Sequence, residues 1–277
     1  MRDNSQFISN KHLRFIFVIC LISFLIFESL FLLPSYDKAS AQSVEVLNVT
    51  FIDVGQGYCS LISSSTGFDI LIDGGPSSAG DEVVSYLLNN GIDDLEVIVL
   101  SHQDADHIGG IIDVLESSIA VDTILYNGNE CTTLTCQTLW AEMVKRGLTP
   151  QAVDSGDNFA WGSISGEVLN PQAIHTGDEN EDSIVIEVTY SDSRILYTGD
   201  IGFSTETTLI NQGVLHSIDV LKVAHHGSAY STSMSFLQAT TPKDAVISVG
   251  NNSYGHPSIE TINRLNSIGA NIYRTDQ

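Results

Sequence analysis

The run Ile98-Val-Leu-Ser-His102-Gln-Asp104-Ala-Asp106-His107-Ile-Gly109-Gly110 decides how the rest of the chain is read. Apart from Glu96, residues 95–100 are apolar and largely β-branched, the pattern of a buried strand. That pattern stops at Ser101, and four ligand-type side chains, His102, Asp104, Asp106 and His107, follow within six positions. Helical spacing begins after Gly110 with Ile111, Ile112, Val114 and Leu115. A strand-to-helix turn carrying two imidazoles and two carboxylates is a compact, negatively charged cation pocket. One Asp there would read as a helix cap. The chain has only 8 His, however, and two of them sit in this turn. In an extended turn His102 and Asp104 face one way, while the incoming helix directs Asp106 and His107 another. One run then feeds two neighbouring ions.

Upstream, residues 44–54 alternate as a strand, Gly55-Gln-Gly57 makes a turn, and 58–62 and 68–72 are two more strands. Asp73-Gly74-Gly75 closes this meander. Residues 81–90 place Val83, Val84, Leu87 and Leu88 on one helical face, with Gly91 as the stop. Downstream, strands are predicted over 121–126, 183–190, 194–197, 218–224, 245–249 and 271–273. A hairpin is predicted over 156–169, and helices over 139–146, 204–212, 232–239 and 258–268. The two halves are similar, each a meander followed by helices alternating with strands. No tandem repeat or linker divides them. The expectation is an α/β (α+β) four-layer αββα sandwich. The last strand falls close to Gln277, which leaves room for a final hairpin beyond it.

Other residues suited to chemistry stand at strand ends. Asp73 reads as a turn Asp before glycines. Asp200 closes Tyr197-Thr-Gly-Asp200. His225-His226-Gly227-Ser228 follows another strand, and adjacent histidines pointing to opposite sides give one ligand and one substrate-facing group. His256, in Tyr254-Gly-His256-Pro-Ser, makes a turn before the next helix. His175 is a loop histidine, and such residues are usually solvated.

The central run resembles His-x-His-x-Asp-His, the signature of the metallo-β-lactamase fold superfamily, with Asp104 at the second ligand position. The variant His-x-Asp-x-Asp-His-x-Gly-Gly is similar to the hydrolase domain of ComEC-type competence proteins and their stand-alone relatives. Bacterial phosphorylcholine esterases share a similar variant, and the departure argues against a true β-lactamase. Phe51-Ile-Asp-Val-Gly-Gln-Gly57 resembles the opening of the same domain. That family has an acid after this glycine, where this chain has Tyr58. The resemblance spans 44–277 and also implies the αββα sandwich.

By that resemblance Asp73 orients a ligand histidine. Asp200 bridges two metals about 3.5–4 Å apart. The double histidine supplies the last ligand, His225 being favoured and His226 left open. Asn180 and Ser183 stand where other members place a third histidine. Asn is a poor ligand, so one metal is expected to be more exposed or more weakly held, with His175 as an alternative donor. Ser228 and the backbone near Gly227 are suited to a phosphate oxygen, and Gly-His256-Pro to a pocket role.

These readings imply a metal-dependent hydrolase with two divalent ions, Zn2+ first and Mn2+ as a credible alternative. His102 and Asp104 are expected to hold one ion, Asp106, His107 and His225 the other, with Asp200 between. The catalytic set is Asp106, His226 and His256. The ions would lower the pKa of a water that attacks in line, which best fits a phosphodiesterase. The alternatives are a carboxylic ester or lactone hydrolase, a DNA nuclease linked to DNA uptake, and a non-catalytic metal-binding module of an envelope assembly.

Composition sets the outer bounds. The chain has 277 residues, 43% of them hydrophobic, enough for one large or two small domains. Four of its 11 basic and three of its 34 acidic residues precede residue 42, so the body carries about −24. Such a charge repels nucleic acid and anionic lipid at long range, and disfavours nucleic acid as a partner. Lys11 and Arg14 precede the apolar stretch 15–27, which Glu28 interrupts and 29–33 extends before Pro34 and Ala39-Ser-Ala41. This is the pattern of a signal peptide at 1–41, or of an anchor over 13–33 if it is not cut. Either way the hydrolase domain, 42–277, is expected outside the cell or at its surface, or in the periplasm where there are two membranes. Cys131 and Cys136 bracket a Thr-rich loop suited to a small disulfide, a zinc knuckle lacking a second ligand pair nearby. Cys59 reads as a small core residue.

Overall fold

The computed structural model describes residues 45–277. The expected leader at 1–41 lies outside them. Among the described residues no helix is long and apolar enough to cross a membrane.

Two sheets carry the fold. The first runs in chain order, β1 (Leu47–Phe51), β2 (Ser60–Ser64), β3 (Asp69–Ile72), β4 (Asp94–Leu100), β5 (Ala120–Tyr126) and β6 (Gln151–Ala152). The second comprises β7 (Asn158–Trp161), β8 (Ile164–Asn170), β9 (Val185–Tyr190), β10 (Ser193–Tyr197), β11 (Val220–Lys222), β12 (Asp244–Ile247) and β13 (Asn271–Arg274), again neighbours in chain order. In each sheet an antiparallel meander gives way to parallel strands. The change comes at β3 in the first sheet and at β10 in the second.

Side-chain alternation makes the layers. Ile62, Ile70, Val97 and Val99 face Val168, Ile186, Val188 and Ile195 between the sheets. The opposite face of the first sheet, with Leu71, Leu95 and Ile98, packs on Val83, Leu87, Val114 and Leu139. Those four belong to the helices Gly80–Asn89, Ile111–Glu116 and Leu134–Arg146. Leu196, Leu221 and Ala245 of the second sheet meet Leu209, Phe236 and Leu265 of Phe203–Gln212, Met234–Thr240 and Ile259–Ser267. From Val97 on β4 is covered on both faces, which is why Val97–Leu100 is an unbroken apolar run. The order of layers is the expected αββα sandwich.

Boundaries shift for local reasons. The helix expected at 139–146 starts at Leu134, because Thr133 caps it by accepting the Cys136 N–H at 3.2 Å. The Thr-rich stretch is therefore a cap and first turn as well as a loop, and the Cys131–Cys136 disulfide ties the two together. Cys59 is free and buried, and burial pushes its thiol up. In the central run a helical turn, Ala105–Ile108, forms before the diglycine, ahead of the expected helix that begins at Ile111.

The diglycines have a packing role. Gly74 N–H donates to the His107 carbonyl at 2.7 Å, and Gly110 N–H donates to the Gly75 carbonyl at 2.9 Å. A Cβ on Gly110 would collide with the Gly74 carbonyl, although the Gly110 backbone is helical at φ −73°. In open helix Ala would gain up to about 1 kcal/mol over Gly. Here Gly110→Ala is expected to destabilise by about 1–3 kcal/mol, read as a lower urea midpoint at unchanged slope.

Candidate metal centre

The parallel strands of both sheets deliver their carboxyl ends to one place. Asp73 follows β3, and His102 follows β4. Asp200 follows β10, and His226 follows β11.

Asp73 organises the first half. It is fully buried and adopts φ +56°, a conformation Asp tolerates better than most residues. Its Oδ1 accepts the Ser101 N–H at 2.7 Å, and its Oδ2 accepts the Ser101 hydroxyl at 2.6 Å. Its Oδ2 also lies 2.7 Å from His107 Nδ1. That bond places the His107 proton on Nδ1 and leaves Nε2 as the free donor atom. In the second half, His226 Nδ1 lies 2.8 Å from the Ser248 carbonyl and must donate to it, so Nε2 is again free.

The two free nitrogens face one another at 3.3 Å. Asp200 presents Oδ1 at 3.4 Å from His107 Nε2 and Oδ2 at 3.3 Å from His226 Nε2. Asp106 Oδ2 lies 3.4 Å from His226 Nε2. His102 Nε2 is buried without a hydrogen-bond partner and sits 3.6 Å from Asp104 Oδ2. Two imidazole lone pairs aimed at each other among carboxylates need a positive charge between them, a proton or a metal ion. This donor set fits a divalent ion. Two groups converge among the described residues: His102, His107 and Asp200, and Asp106, His107 and His226. They share His107, whose single free nitrogen serves one ion, so the groups are two ends of one pocket.

Protons on the histidines report the same charge excess. Burial alone would lower His107, but Asp200 and Asp73 outweigh it and push it up to about 10. His226 is also raised, burial being overcome by Asp200 and Asp106. Burial works against the charge on Asp106, yet His226 and His107 hold it down at about 2. Asp200 is held well below the usual carboxylate range against its burial by His226, His107 and Lys222. In the ion-free protein the His107 pairing stabilises the fold fully below an imidazole's ordinary 6.5, and this is lost as pH rises towards about 10. An ion bound to Nε2 has to displace that proton. Apparent metal affinity is therefore expected to rise at least about tenfold per pH unit through neutrality, with proton release measurable by calorimetry in buffers of different ionisation enthalpy.

Of the double histidine, the structure brings His226 into a donor group. Both residues take positive φ, +50° at His225 and +53° at His226, so the chain has left the strand and simple alternation no longer applies. The turn buries His226, whereas the His225 side chain is 33% exposed with Nε2 3.9 Å from Asp200 Oδ2. His225, the favoured ligand of the sequence reading, stands outside both donor groups. It lines an adjoining cavity of about 340 Å³ together with Asn180, Asp200, Ser228, Phe203 and Tyr230. Burial and neighbouring histidines keep His225 and His256 below the ordinary imidazole range, and their rings lie 5.5 Å apart. Asp104 is half-exposed at the pocket's edge and also lies outside the donor groups.

The remaining expected residues have clear positions. Ser183 Oγ accepts the Asp200 N–H at 3.0 Å and so fixes that carboxylate's backbone. Asn180 Oδ1 is buried without a partner. His175 Nδ1 bonds Asn129 Oδ1 at 2.5 Å and Nε2 lies 3.8 Å from Asp154, so it does not join the centre. Sequence reasoning missed Ser101, the link between Asp73 and both histidines of the run. It also missed Lys222, fully buried, with Nζ 3.2 Å from Asp200 Oδ1. A lone lysine at the end of an apolar strand, just before the double histidine, was the available signal.

Known proteins share this arrangement of strands. The family model described as the Metallo-beta-lactamase superfamily matches residues 52–251. ComE operon protein 3 of Bacillus subtilis is 30% identical over 266 residues, covering 90% of this chain and 34% of that protein. Recombination protein 2 of Haemophilus influenzae is 32% identical over 233 residues, covering 82% of this chain and 27% of that protein. The chain thus spans about a third of the length of these relatives. Among solved structures, the metallo-beta-lactamase fold protein YhfI of Bacillus subtilis superposes with a TM-score of 0.56 at 15% identity, over 83% of this chain and 96% of that one. A structure titled as a metal-dependent hydrolase of Parabacteroides distasonis gives 0.53 at 17% identity, over 84% and 94%. With the family model covering most of the chain, and the paired His and Asp donors converging at the strand ends, this protein belongs to the metallo-β-lactamase superfamily and is related to the competence proteins of the ComEC type.

Proposed function

We propose that this protein is an exported metal-dependent phosphodiesterase. The observation that carries the reading is the meeting of His107 and His226 Nε2 between Asp106 and Asp200, beside a cavity that His225 and Ser228 line. When bound, divalent ions supply Lewis acidity and a water of lowered pKa. His102, His107, Asp106, Asp200 and His226 would hold the ions, and Zn2+ or Mn2+ suits that mixture of imidazole and carboxylate. Asp73 keeps the His107 proton on Nδ1. Ser228 offers its hydroxyl to a phosphoryl oxygen. His225, with His256 beside it, stands at the cavity to pass a proton to the leaving group.

The test is a panel on protein loaded with Mn2+ or Zn2+: bis-p-nitrophenyl phosphate against a lactone and an aryl carboxylic ester. Turnover of the phosphodiester is expected. Turnover of the carbonyl substrates alone would move the assignment to an ester or lactone hydrolase, and inertness on all three to a metal-binding module. Export is checked in the same preparations, since the secreted protein is expected to begin at Gln42; a leader still attached at the cell surface would leave residues 13–33 as an anchor.

A DNA nuclease is the second reading. It is favoured by the relatives, among them one named Competence protein ComA of Neisseria gonorrhoeae, 31% identical over 236 residues. A body charge near −24 opposes it, because a long polyanion is repelled before it reaches the centre.

A further inference from the structure

An anionic substrate and an acidic protein pose a problem of charge. The cavity beside the centre is lined by Asp178, Glu181 and Asp200, and no Lys or Arg lines it. Asp73, Asp104, Asp106 and Asp200 place four negative charges in or behind the pocket, which two divalent ions only cancel. One basic side chain lies beneath. Lys222 is the single fully buried Lys or Arg among the described residues. Its Nζ donates to the Gly199 carbonyl at 2.6 Å and to Asp200 Oδ1 at 3.2 Å, and stands 4.7 Å over the Tyr58 ring. The carbonyl and the ring face hold the ammonium without neutralising it. Because it is sealed from solvent, its field is not screened by salt as a surface lysine's would be.

We propose that Lys222 is a positioning residue whose buried charge, acting through Asp200, adds one positive charge to the ion-loaded centre and so sets its affinity for an anionic group. The inference rests on the two-ion hydrolase reading. A residue that merely shaped the Gly199–Asp200 turn would, when lost, weaken cation and anion binding together. A residue acting by charge separates them: its loss weakens the anion and spares or tightens the cation.

The experiment compares native protein with Lys222→Met and Lys222→Gln. Gln keeps a hydrogen-bond donor and a polar side chain if Met fails to fold, and circular dichroism checks each. Mn2+ affinity is measured by calorimetry on metal-free protein, and inorganic phosphate affinity by calorimetry on Mn2+-loaded protein, with no turnover involved. In both variants phosphate is expected to bind at least about tenfold more weakly, with Mn2+ bound as tightly as in the native protein or more so. Unchanged phosphate affinity, or a parallel loss of Mn2+ and phosphate, overturns the role of Lys222 and leaves the hydrolase reading standing. Native protein that takes up neither Mn2+ nor Zn2+ overturns the hydrolase reading and this inference with it.

Discussion

Asp200→Asn is expected to lower metal affinity by more than about a hundredfold, with activity falling in step. Partners that only orient a ligand cost about 10–100-fold when changed, and Asp200 is itself placed as a donor. Its two oxygens serve both ends of the pocket, Oδ1 towards His107 and Oδ2 towards His226. Asn keeps one oxygen and turns an NH2 group towards the other histidine. The change also leaves Lys222 buried without its carboxylate, a defect of about 3–5 kcal/mol when one partner of a buried pair is removed. Metal content by plasma emission spectroscopy, beside the unfolding midpoint, reads both effects. Asp106→Asn is the cleaner companion. Its side chain is 37% exposed and pairs with His226 alone, so it is expected to lose metal with little loss of stability. Equal metal content in Asp106→Asn and native protein would remove Asp106 from the centre.

The second large effect belongs to a residue that touches no ion. Asp73→Asn is expected to reduce metal affinity by about 10–100-fold and to destabilise the ion-free fold by about 2–4 kcal/mol. The Asp73 carboxylate accepts from the Ser101 N–H, the Ser101 hydroxyl and His107 Nδ1, all of them buried. An amide has one acceptor oxygen for these donors, and its NH2 would face a donor. His107 would then be free to exchange its tautomer and withdraw Nε2 from the pocket. Asp73→Ala distinguishes orientation from bulk. It should show the same loss of metal affinity, and a larger loss of stability through the space it leaves.

The parts of the centre that could be read from the sequence are those whose chemistry is scarce and local. β4 was legible because from Val97 on both its faces are buried, and the run after it because histidines and carboxylates crowd one turn. The layer order followed from the alternation of meanders and helices. The choice between His225 and His226 was not legible. It depends on two consecutive positive φ values, and alternation along a strand does not anticipate them. The division of donors between the ions also depends on a turn at Ala105–Ile108 that begins inside the run. Lys222 escaped notice because a lysine in a strand ordinarily faces water. Here the Gly199 carbonyl, Asp200 and the Tyr58 ring receive it, and those partners lie 22 or more residues away along the chain.

The candidate donors are divided between the sheets, His102, Asp106 and His107 on one side and Asp200 and His226 on the other. Any ion seated there stitches together segments that the chain makes about a hundred residues apart. At a hundredfold excess over its dissociation constant such an ion adds about 2.7 kcal/mol, a large share of a typical fold's margin. Scarcity of such an ion would expose the chain to proteases, so that its lifetime would follow the supply of the metal.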